Sequence, residues 1–223
     1  DYDQVENRWD DGAPTRKILA SGYPRTKDGD HSTTGFGATY DLNDNLQLVA
    51  GFHEGMTAMF GTDPEKADNM ELGFRYSKND TNMEAFYFTS DYKNLKAVCK
   101  NSQGGDCSDG DVFDGGAVDV SGIEISGSHI FNGSTGILYP VGLTYTSTDA
   151  TFKNSFDDDG DYWGVVAAGD DVPYVPSSSL ALVVGFINPD GLSGNVRLVE
   201  NGSACSTAAC GVNQNIEAHS FID

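Results

Sequence analysis

The sequence predicts an all-β protein, and more narrowly an antiparallel up-and-down transmembrane β-barrel of which about nine strands are present. Three observations predict this fold class. Apolar residues alternate with polar or small ones at a period of two, the connections between these runs alternate between short and long, and the runs are near the length of a tilted membrane-crossing strand. Twenty-seven glycines and an aromatic share of 11% fit many strands joined by turns.

The composition excludes two classes of function. The chain has 223 residues, with 13 basic against 34 acidic side chains and a formal net charge of −21. Because binding to phosphates along a polynucleotide needs an excess of lysine and arginine, this balance argues against a nucleic-acid partner. The longest apolar run, Leu180 to Phe186, is interrupted by Gly185 and falls well short of the roughly 20 residues of a membrane helix. A helical membrane protein is therefore excluded.

Nine runs carry the alternation that places successive strand side chains on opposite faces. In the first run, Phe36 and Tyr40 share one face while Gly37 and Thr39 share the other. The fourth run has aromatic residues at both parities, so its orientation stays open. The runs lie at Thr34 to Leu42, Leu46 to His53, Met70 to Ser77, Met83 to Tyr92, Ala117 to Ile130, Ile137 to Ala150, Leu180 to Ile187, Gly194 to Val199 and Ile216 to Ile222.

The connections between the runs decide the architecture. Short ones, at residues 43–45, 78–82, 131–136 and 188–193, contain the Asn, Asp or Gly that tight turns need. Long ones lie at residues 57–69, 94–116, 151–179 and 200–215. Because short and long connections alternate, all hairpin turns gather at one end of the sheet and all long loops at the other. A bilayer-spanning barrel has this arrangement, with tight periplasmic turns and long extracellular loops.

Four cysteines predict two local disulfides. Cys99 and Cys107 lie in one loop rich in Gly, Asp and Ser, and Cys205 and Cys210 lie in a second loop of small residues. Neither spacing is that of a zinc or redox motif, so disulfides in an oxidising compartment are favoured and free thiols are the alternative. Both pairs fall in long connections, which places those connections on the outer side of the membrane.

The two ends of the chain predict an interior piece of a larger barrel. Bacterial single-chain barrels close with an even number of strands, whereas the runs here number nine. The last run ends without the terminal aromatic residue expected of a finished outer-membrane strand, and residues 1–33 have the composition of a preceding extracellular loop. No signal peptide opens the chain, so this N-terminus is either mature or internal.

Ordered motifs give the chain a resemblance to a known family. The string LNDNLQLVAGFHEGM is followed by DPEKADNMELGFRYS and FYFTSDYKNL, and later by SGIEIS, LTYTSTDATFKNSF and AGDDVPYVPSSSLALVVGF. In this order the strings resemble the C-terminal part of the barrel of TonB-dependent outer-membrane receptors, nearest the ferric-citrate and ferric-siderophore type. The residues that fill the second and third motifs are Pro64, Glu65, Ala67, Asn69, Glu71, Gly73, Arg75, Tyr76, Phe86, Tyr87, Asp91, Tyr92 and Asn94.

The resemblance implies a receptor of the Gram-negative outer membrane, with a barrel of about 22 strands and a plugged lumen. It implies uptake of a ferric chelate, either a siderophore or ferric citrate, energised by the TonB complex through a plug domain that this chain lacks. Residues 1–223 then form one partial barrel domain in contact with outer-membrane lipid, with the long loops extracellular. The resemblance implies no cofactor.

Candidate site residues follow from parity. His53, Glu71, Arg75 and Glu124 lie at positions opposite in parity to the apolar ones, so they are candidates for lumen-facing side chains, a merely solvated lumen face being the alternative. The four histidines are scattered, and HExxH, GxSxG and Walker motifs are absent, so an enzyme is not expected.

A calcium loop is a weak further candidate. Asp157, Asp159 and Asp161 offer several carboxylate oxygens, which hard cations prefer. The run lacks the D-x-D-x-D-G register and its closing glutamate, so a solvated acidic loop is favoured and no metal is expected.

Two other readings stay open. A passive porin or small structural barrel would close into a ring from this chain alone, and a secreted β-rich protein with calcium-binding loops would bury the apolar face in a two-layer core. A membrane barrel instead exposes that face on one outer surface. The side chains that separate these readings are Phe36, Tyr40, Leu48, Phe52, Leu72, Phe74, Leu143 and Tyr145.

Overall fold

A computed structural model of the chain describes residues 32–57, 64–98, 112–114, 116–133, 135–157, 165–210 and 214–223. These residues form strands and turns without a helix. The strands are β1 (Gly35–Asn43), β2 (Leu46–Thr57), β3 (Glu65–Lys78), β4 (Thr81–Lys93), β5 (Lys96–Val98), β6 (Val112–Asp114), β7 (Val118–Asn132), β8 (Leu138–Phe152), β9 (Phe156–Asp157), β10 (Val165–Val166), β11 (Ser178–Ile187), β12 (Ser193–Asn201), β13 (Ala204–Cys205), β14 (Asn215–Ile216) and β15 (His219–Ile222).

Nine of these strands form one antiparallel sheet in the order β1-β2-β3-β4-β7-β8-β11-β12-β15. Each strand pairs with the next long strand along the chain, which confirms the predicted up-and-down fold class. The remaining strands form three two-stranded ladders, β5 with β6, β9 with β10 and β13 with β14, inside the long connections. Within the described part of the chain, β1 and β15 are the edges of an open sheet, so these strands do not close a ring by themselves.

Tight turns lie at one end of the sheet, hereafter the hairpin end. The turn between β3 and β4 places Asn79 at φ 50°, and the turn between β11 and β12 places Gly191 at φ 97°. The Asn188 side chain accepts a hydrogen bond of 3.1 Å from the backbone N–H of Asp190, which is the local bond that makes Asn a frequent turn residue. The long connections all lie at the opposite end, the loop end.

Cross-strand register gathers the apolar side chains on one side of the sheet, the outer face. Tyr40 on β1 pairs with Leu48 on β2, which pairs with Phe74 on β3. Phe36 is 72% exposed, Tyr40 67% and Leu72 63%, so no second layer of described protein covers this face. The same face carries the other discriminating side chains, Phe52, Leu143 and Tyr145. An apolar face left open in this way needs lipid, not a two-layer core.

The apolar band crosses the sheet obliquely. On each strand, the first charged outer-face residue towards the loop end marks the limit of the band. This residue is Glu54 on β2 and Glu200 on β12. Through the pairings of the intervening strands Glu200 stands in the same cross-strand row as Leu48, which is six residues from Glu54. The band therefore shifts by about one residue per strand, which for strands about 4.8 Å apart corresponds to a tilt of about 35° from the membrane normal. Barrel strands in membranes tilt by about this amount.

The strand boundaries correct two expectations. Strands β2 and β3 pair from Thr57 to Glu65 onwards, so the connection predicted at residues 57–69 is shorter. Strand β3 begins at Glu65 and includes charged residues that lie beyond the apolar band. The alternation pattern did not reveal this part of the strand, because backbone pairing does not need apolar side chains. Ile216 belongs to the short strand β14, and the final strand of the sheet begins only at His219.

The structure also orients β4, whose aromatic residues occupy both parities. Tyr87 points to the outer face, where it is 53% exposed and pairs with Leu72. Phe88 points to the opposite or inner face and lies over Gly122 of β7, where an added Cβ would stand 2.6 Å from its ring. Glycine on the neighbouring strand therefore gives this ring its place on the inner face.

Candidate functional site

Two of the long connections fold over the inner face at the loop end. We call this element the loop-end cap and define it as residues 165–177, 203–210 and 214–216. Its apolar contacts join Val166 and Ala208 of the cap to Val118 and Phe152, which end the inner-face rows of β7 and β8. Phe152 and Val166 are each 1% exposed, and they are the most deeply buried large side chains among the described residues.

Backbone hydrogen bonds join the two connections of the cap to each other and to the sheet. The N–H of Tyr174 donates to the carbonyl of Cys205 over 2.7 Å, and the N–H of Ser177 donates to that of Ser203 over 3.0 Å. The N–H of Val172 donates to the carbonyl of Ala150 on β8 over 2.9 Å. The cap is thus an extension of the sheet that bends over its inner face.

A disulfide closes the second connection of the cap. Cys205 and Cys210 are joined, with their Cα atoms 5.1 Å apart. One carboxylate oxygen of Asp171 lies 3.4 Å from Cys205 Sγ. A disulfide sulfur has no proton to donate and is not a thiolate, so this cluster is neither a hydrogen bond nor a metal site. Cys99 and Cys107 lie outside the described residues, and their pairing stays a prediction.

A cavity of about 530 Å³ lies between the cap and residues 148–150 of β8. Its described lining is polar and apolar in about equal parts and includes hydrogen-bonding side chains but no lysine or arginine. The polar side chains of the lining are Thr148, Asp149, Asp171, Ser177, Ser203 and Asn215.

The hairpin half of the inner face is a wider hollow of about 1190 Å³. There the Arg75 guanidinium lies 3.4 Å from a carboxylate oxygen of Glu84 and 5.5 Å from the centre of the Phe86 ring. The Ser126 hydroxyl donates a 3.0 Å hydrogen bond to the same carboxylate. The pair is about half exposed, so it fixes side-chain positions more than it stabilises the fold.

The register places all four sequence-predicted lumen candidates on the inner face. Glu71 lies flat over Gly51, where an added Cβ would stand 2.7 Å from its carboxylate oxygen, and Glu124 pairs across the strands with Phe86. His53 stands opposite Asn69, whose side-chain amide donates to the His53 carbonyl over 3.2 Å. These side chains do not converge on one site.

Glu84, the partner of Arg75, was not among the candidates. The β3–β4 hairpin could have revealed it, because a turn at residues 79–80 brings positions 75 and 84 opposite each other. The calcium candidates give no structural result: the backbone of Asp157 is in β9, its side chain is not described, and Asp159 and Asp161 lie outside the described residues.

A network of ion pairs that the sequence did not reveal lies on the outer face at the loop end. Lys93 binds Asp68 and lies 3.8 Å from Asp91, and Lys153 lies 3.1 Å from both Asp91 and Asp119. We call these five residues the charge ladder. Hydrogen bonds from Lys153 to Asp119 and Asp91 raise the pKa of that ammonium group above its ordinary value.

In the part of the chain that the structure describes, no helix is long and apolar enough to cross a membrane. The fold and the distribution of side chains define a class of protein: a one-layer antiparallel wall with an apolar outer face, a polar inner face and its long loops at one end is the wall of a transmembrane β-barrel. The family model described as TonB dependent receptor-like, beta-barrel matches residues 1–215. The chain belongs to this family, whose members are receptors of the outer membrane.

Solved structures share the fold. The ferric yersiniabactin uptake receptor FyuA from Yersinia pestis matches with a TM-score of 0.64 and 19% identity, over 88% of this chain and 29% of that one. The siderophore receptor PirA from Acinetobacter baumannii matches with a TM-score of 0.61 and 15% identity, over 87% of this chain and 34% of that one. The unliganded ferric citrate transporter FecA matches with a TM-score of 0.63 and 18% identity, over 86% of this chain and 30% of that one.

The chain thus spans about a third or less of the length of these structures. The comparison with curated proteins finds no match.

Proposed function

We propose that this chain forms part of the barrel wall of an outer-membrane receptor that takes up a ferric chelate with energy from the TonB complex. The observation that carries the proposal is the family match over residues 1–215 on a one-layer wall that is apolar outside and polar inside. The similar structures named above are described as a ferric yersiniabactin uptake receptor, a siderophore receptor and a ferric citrate transporter, which supports an iron chelate as the ligand.

The loop end is the extracellular end in this proposal. A disulfide persists in an oxidising environment, and Cys205–Cys210 lies at that end. The hairpin turns then face the periplasm, as short turns do in outer-membrane barrels.

The wall contributes three things to transport. Its outer face holds the barrel in lipid, its cap narrows the extracellular mouth, and its inner face offers a polar surface to an interior plug domain through which TonB acts. The described cations of the inner face, Arg75 and Arg197, lie in the hairpin half, so a chelate arriving at the mouth meets hydroxyl and carboxylate groups first. In this proposal, release of the chelate into the periplasm depends on the plug domain and not on this segment of the wall.

Iron uptake tests the proposal. The complete receptor is expressed in an Escherichia coli strain without its own ferric-siderophore receptors, and ⁵⁵Fe uptake is measured from ferric citrate and from a panel of ferric siderophores, with and without a functional tonB gene. We expect uptake from at least one chelate that is lost without TonB. Uptake that persists without TonB would support a passive porin, and no uptake from any chelate would contradict an iron-chelate receptor.

A further inference from the structure

The lysines described at the loop end lie on the outer face of the sheet. Lys66, Lys93 and Lys153 have the same strand parity as the apolar outer-face residues below them. Lys93 and Lys153 form the ion pairs of the charge ladder, and Lys66 has a favourable charge interaction with Glu54. These ammonium groups therefore balance carboxylates on the outer face, and none of them stands on the face that lines the lumen.

The arginines of the inner face lie in the hairpin half. Arg75 and Arg197 both line the wide hollow there, and Arg75 lies 3.4 Å from a carboxylate oxygen of Glu84. The cavity between the cap and β8 has Asp149 and Asp171 in its lining. Among the side chains that the structure describes, no lysine or arginine thus lies in the loop half of the inner face.

The charge of the long connections adds to this asymmetry. Residues 58–64, 94–117, 153–177 and 202–218 connect the strands of the sheet at the loop end, and they contain 12 acidic and 3 basic side chains, which leaves a balance of −9. Charges of one sign around the mouth of a cleft concentrate ligands of the opposite sign and repel those of the same sign. The mouth formed by this segment therefore favours ligands without net negative charge.

The lining of the cavity matches the same kind of ligand. Ser177, Ser203 and Asn215 carry oxygen atoms that accept hydrogen bonds, and the carboxylate of Asp171 is the stronger type of acceptor. An ammonium, amide or hydroxyl group of a ligand donates to such oxygens. A carboxylate or catecholate group is bound best by arginine or lysine, which the described lining does not contain.

We propose that the ferric chelate taken up through this wall is neutral or cationic, and that the receptor discriminates against anionic chelates. The inference rests on the proposed function, which is the uptake of a ferric chelate. Three hydroxamate groups neutralise Fe³⁺, so a ferric trishydroxamate is neutral, or cationic when it carries a free ammonium group. Three catecholate groups leave an anion, and ferric citrate is also an anion. Ferric trishydroxamates therefore fit the charge of this wall better than the other two classes.

Iron uptake from chelates that differ only in charge tests the proposal. A linear ferric trishydroxamate with a terminal ammonium group is compared with its acetylated form, which is neutral, and its succinylated form, which is an anion. A neutral cyclic ferric trishydroxamate, ferric citrate and a ferric triscatecholate complete the panel. The complete receptor is expressed in an Escherichia coli strain without its own ferric-siderophore receptors, and ⁵⁵Fe uptake is measured with and without a functional tonB gene.

The two proposals fail in different ways. We expect TonB-dependent uptake from a cationic or neutral chelate that is at least about tenfold faster than uptake from any anionic one at low concentration. Uptake from an anionic chelate at an equal or higher rate would overturn the charge selection and leave the proposed function intact. Uptake from none of the chelates would contradict the proposed function itself.

Charge variants connect the selection to the cap. Asp171→Asn is expected to lower the ratio of uptake rates for the cationic and succinylated forms by about fivefold, the effect of one charge at roughly 8 Å in water on ligands that differ by two charges. Asp171→Glu keeps the charge and should keep the ratio. Asp190→Asn removes an exposed acid from the turn between β11 and β12 and should leave the ratio unchanged. An unchanged ratio in Asp171→Asn, or an equal fall in Asp190→Asn, would contradict selection by the cap.

Discussion

The ring of Phe86 on β4 lies against the backbone of Gly73 on β3, on the inner face of the sheet. A Cβ added at Gly73 would stand 2.4 Å from Cδ1 of that ring and 2.2 Å from the carbonyl oxygen of Ala85. The same ring carries the Arg75 guanidinium 5.5 Å from its centre. Glycine at position 73 therefore leaves the space that the Phe86 ring occupies against the backbone of β3.

Gly73→Ala is expected to destabilise the barrel by about 1–3 kcal/mol, because the methyl group displaces the Phe86 ring and overlaps a neighbouring carbonyl. The measurement is urea unfolding of the complete receptor in phospholipid vesicles. Gly142→Ala is the matched control: it also lies on the inner face of a strand, but an added Cβ meets nothing within 4 Å. Equal stability of the two variants would show that the contact between Phe86 and Gly73 does not matter.

Val166→Ala and Val165→Ala test the packing of the loop-end cap with neighbouring residues of one type. Val166 is 1% exposed and Val165 is 69% exposed. Loss of the buried methyl groups is expected to lower the free energy of opening of the cap by about 2 kcal/mol, whereas the exposed substitution should have little effect. Amide hydrogen exchange at Val172 and Tyr174 reports this opening, since the Val172 N–H donates to the carbonyl of Ala150 on β8 and the Tyr174 N–H donates to the carbonyl of Cys205 in the cap. Faster exchange in both variants alike would contradict the described core.

Removal of the disulfide by Cys205→Ser/Cys210→Ser is expected to loosen one connection of the cap and leave the sheet intact. A loop this short corresponds to about 2 kcal/mol in the chain-entropy treatment of crosslinks. Exchange of the Tyr174 and Ser177 amides should accelerate, because their acceptors lie at Cys205 and Ser203. Exchange within β2 and β3 should not change, and a general acceleration there would mean that the disulfide stabilises the whole wall.

Leu143→Arg and Thr144→Arg compare adjacent residues on opposite faces of β8. Leu143 lies on the outer face, where an arginine near the middle of the bilayer costs about 2–4 kcal/mol. Thr144 lines the inner hollow, where the guanidinium stays in water. We expect Leu143→Arg to reduce folding into vesicles and Thr144→Arg to fold normally; similar losses in both would contradict the assignment of the faces.

The sequence was sufficient to predict nine strands, because lipid on one side and water on the other impose a period of two on most of them, and the alternation of short and long connections predicted their order. The sequence was insufficient for the segments outside the bilayer, where the two faces of a strand no longer meet different solvents. Strand β3 continues to Glu65 through charged residues that lie beyond the hydrocarbon, and the short ladders of the loops pair without an apolar pattern. The faces on which the aromatic residues of β4 lie could not be predicted from β4 alone, because they depend on glycines of the neighbouring strands.

Site prediction met a similar limit. Parity placed Arg75 on the inner face, but its partner Glu84 requires the register of the hairpin. The charge ladder joins Asp68, Asp91 and Lys153 from segments far apart in the chain, so only the pairing of β3, β4, β7 and β8 brings them together. The cap core likewise depends on how two loops fold back over the sheet.

Solvent accessibility along β8 tests the central claim of a one-layer wall most directly. Nitroxide labels are placed singly at residues 139 and 141–147 of the complete receptor in vesicles, and their collision rates with oxygen and with a water-soluble nickel complex are measured. Odd positions should favour oxygen, which concentrates in lipid, and even positions should favour the nickel complex in the aqueous lumen. Low accessibility to both reagents at the odd positions, as in a core between two protein layers, would contradict the account.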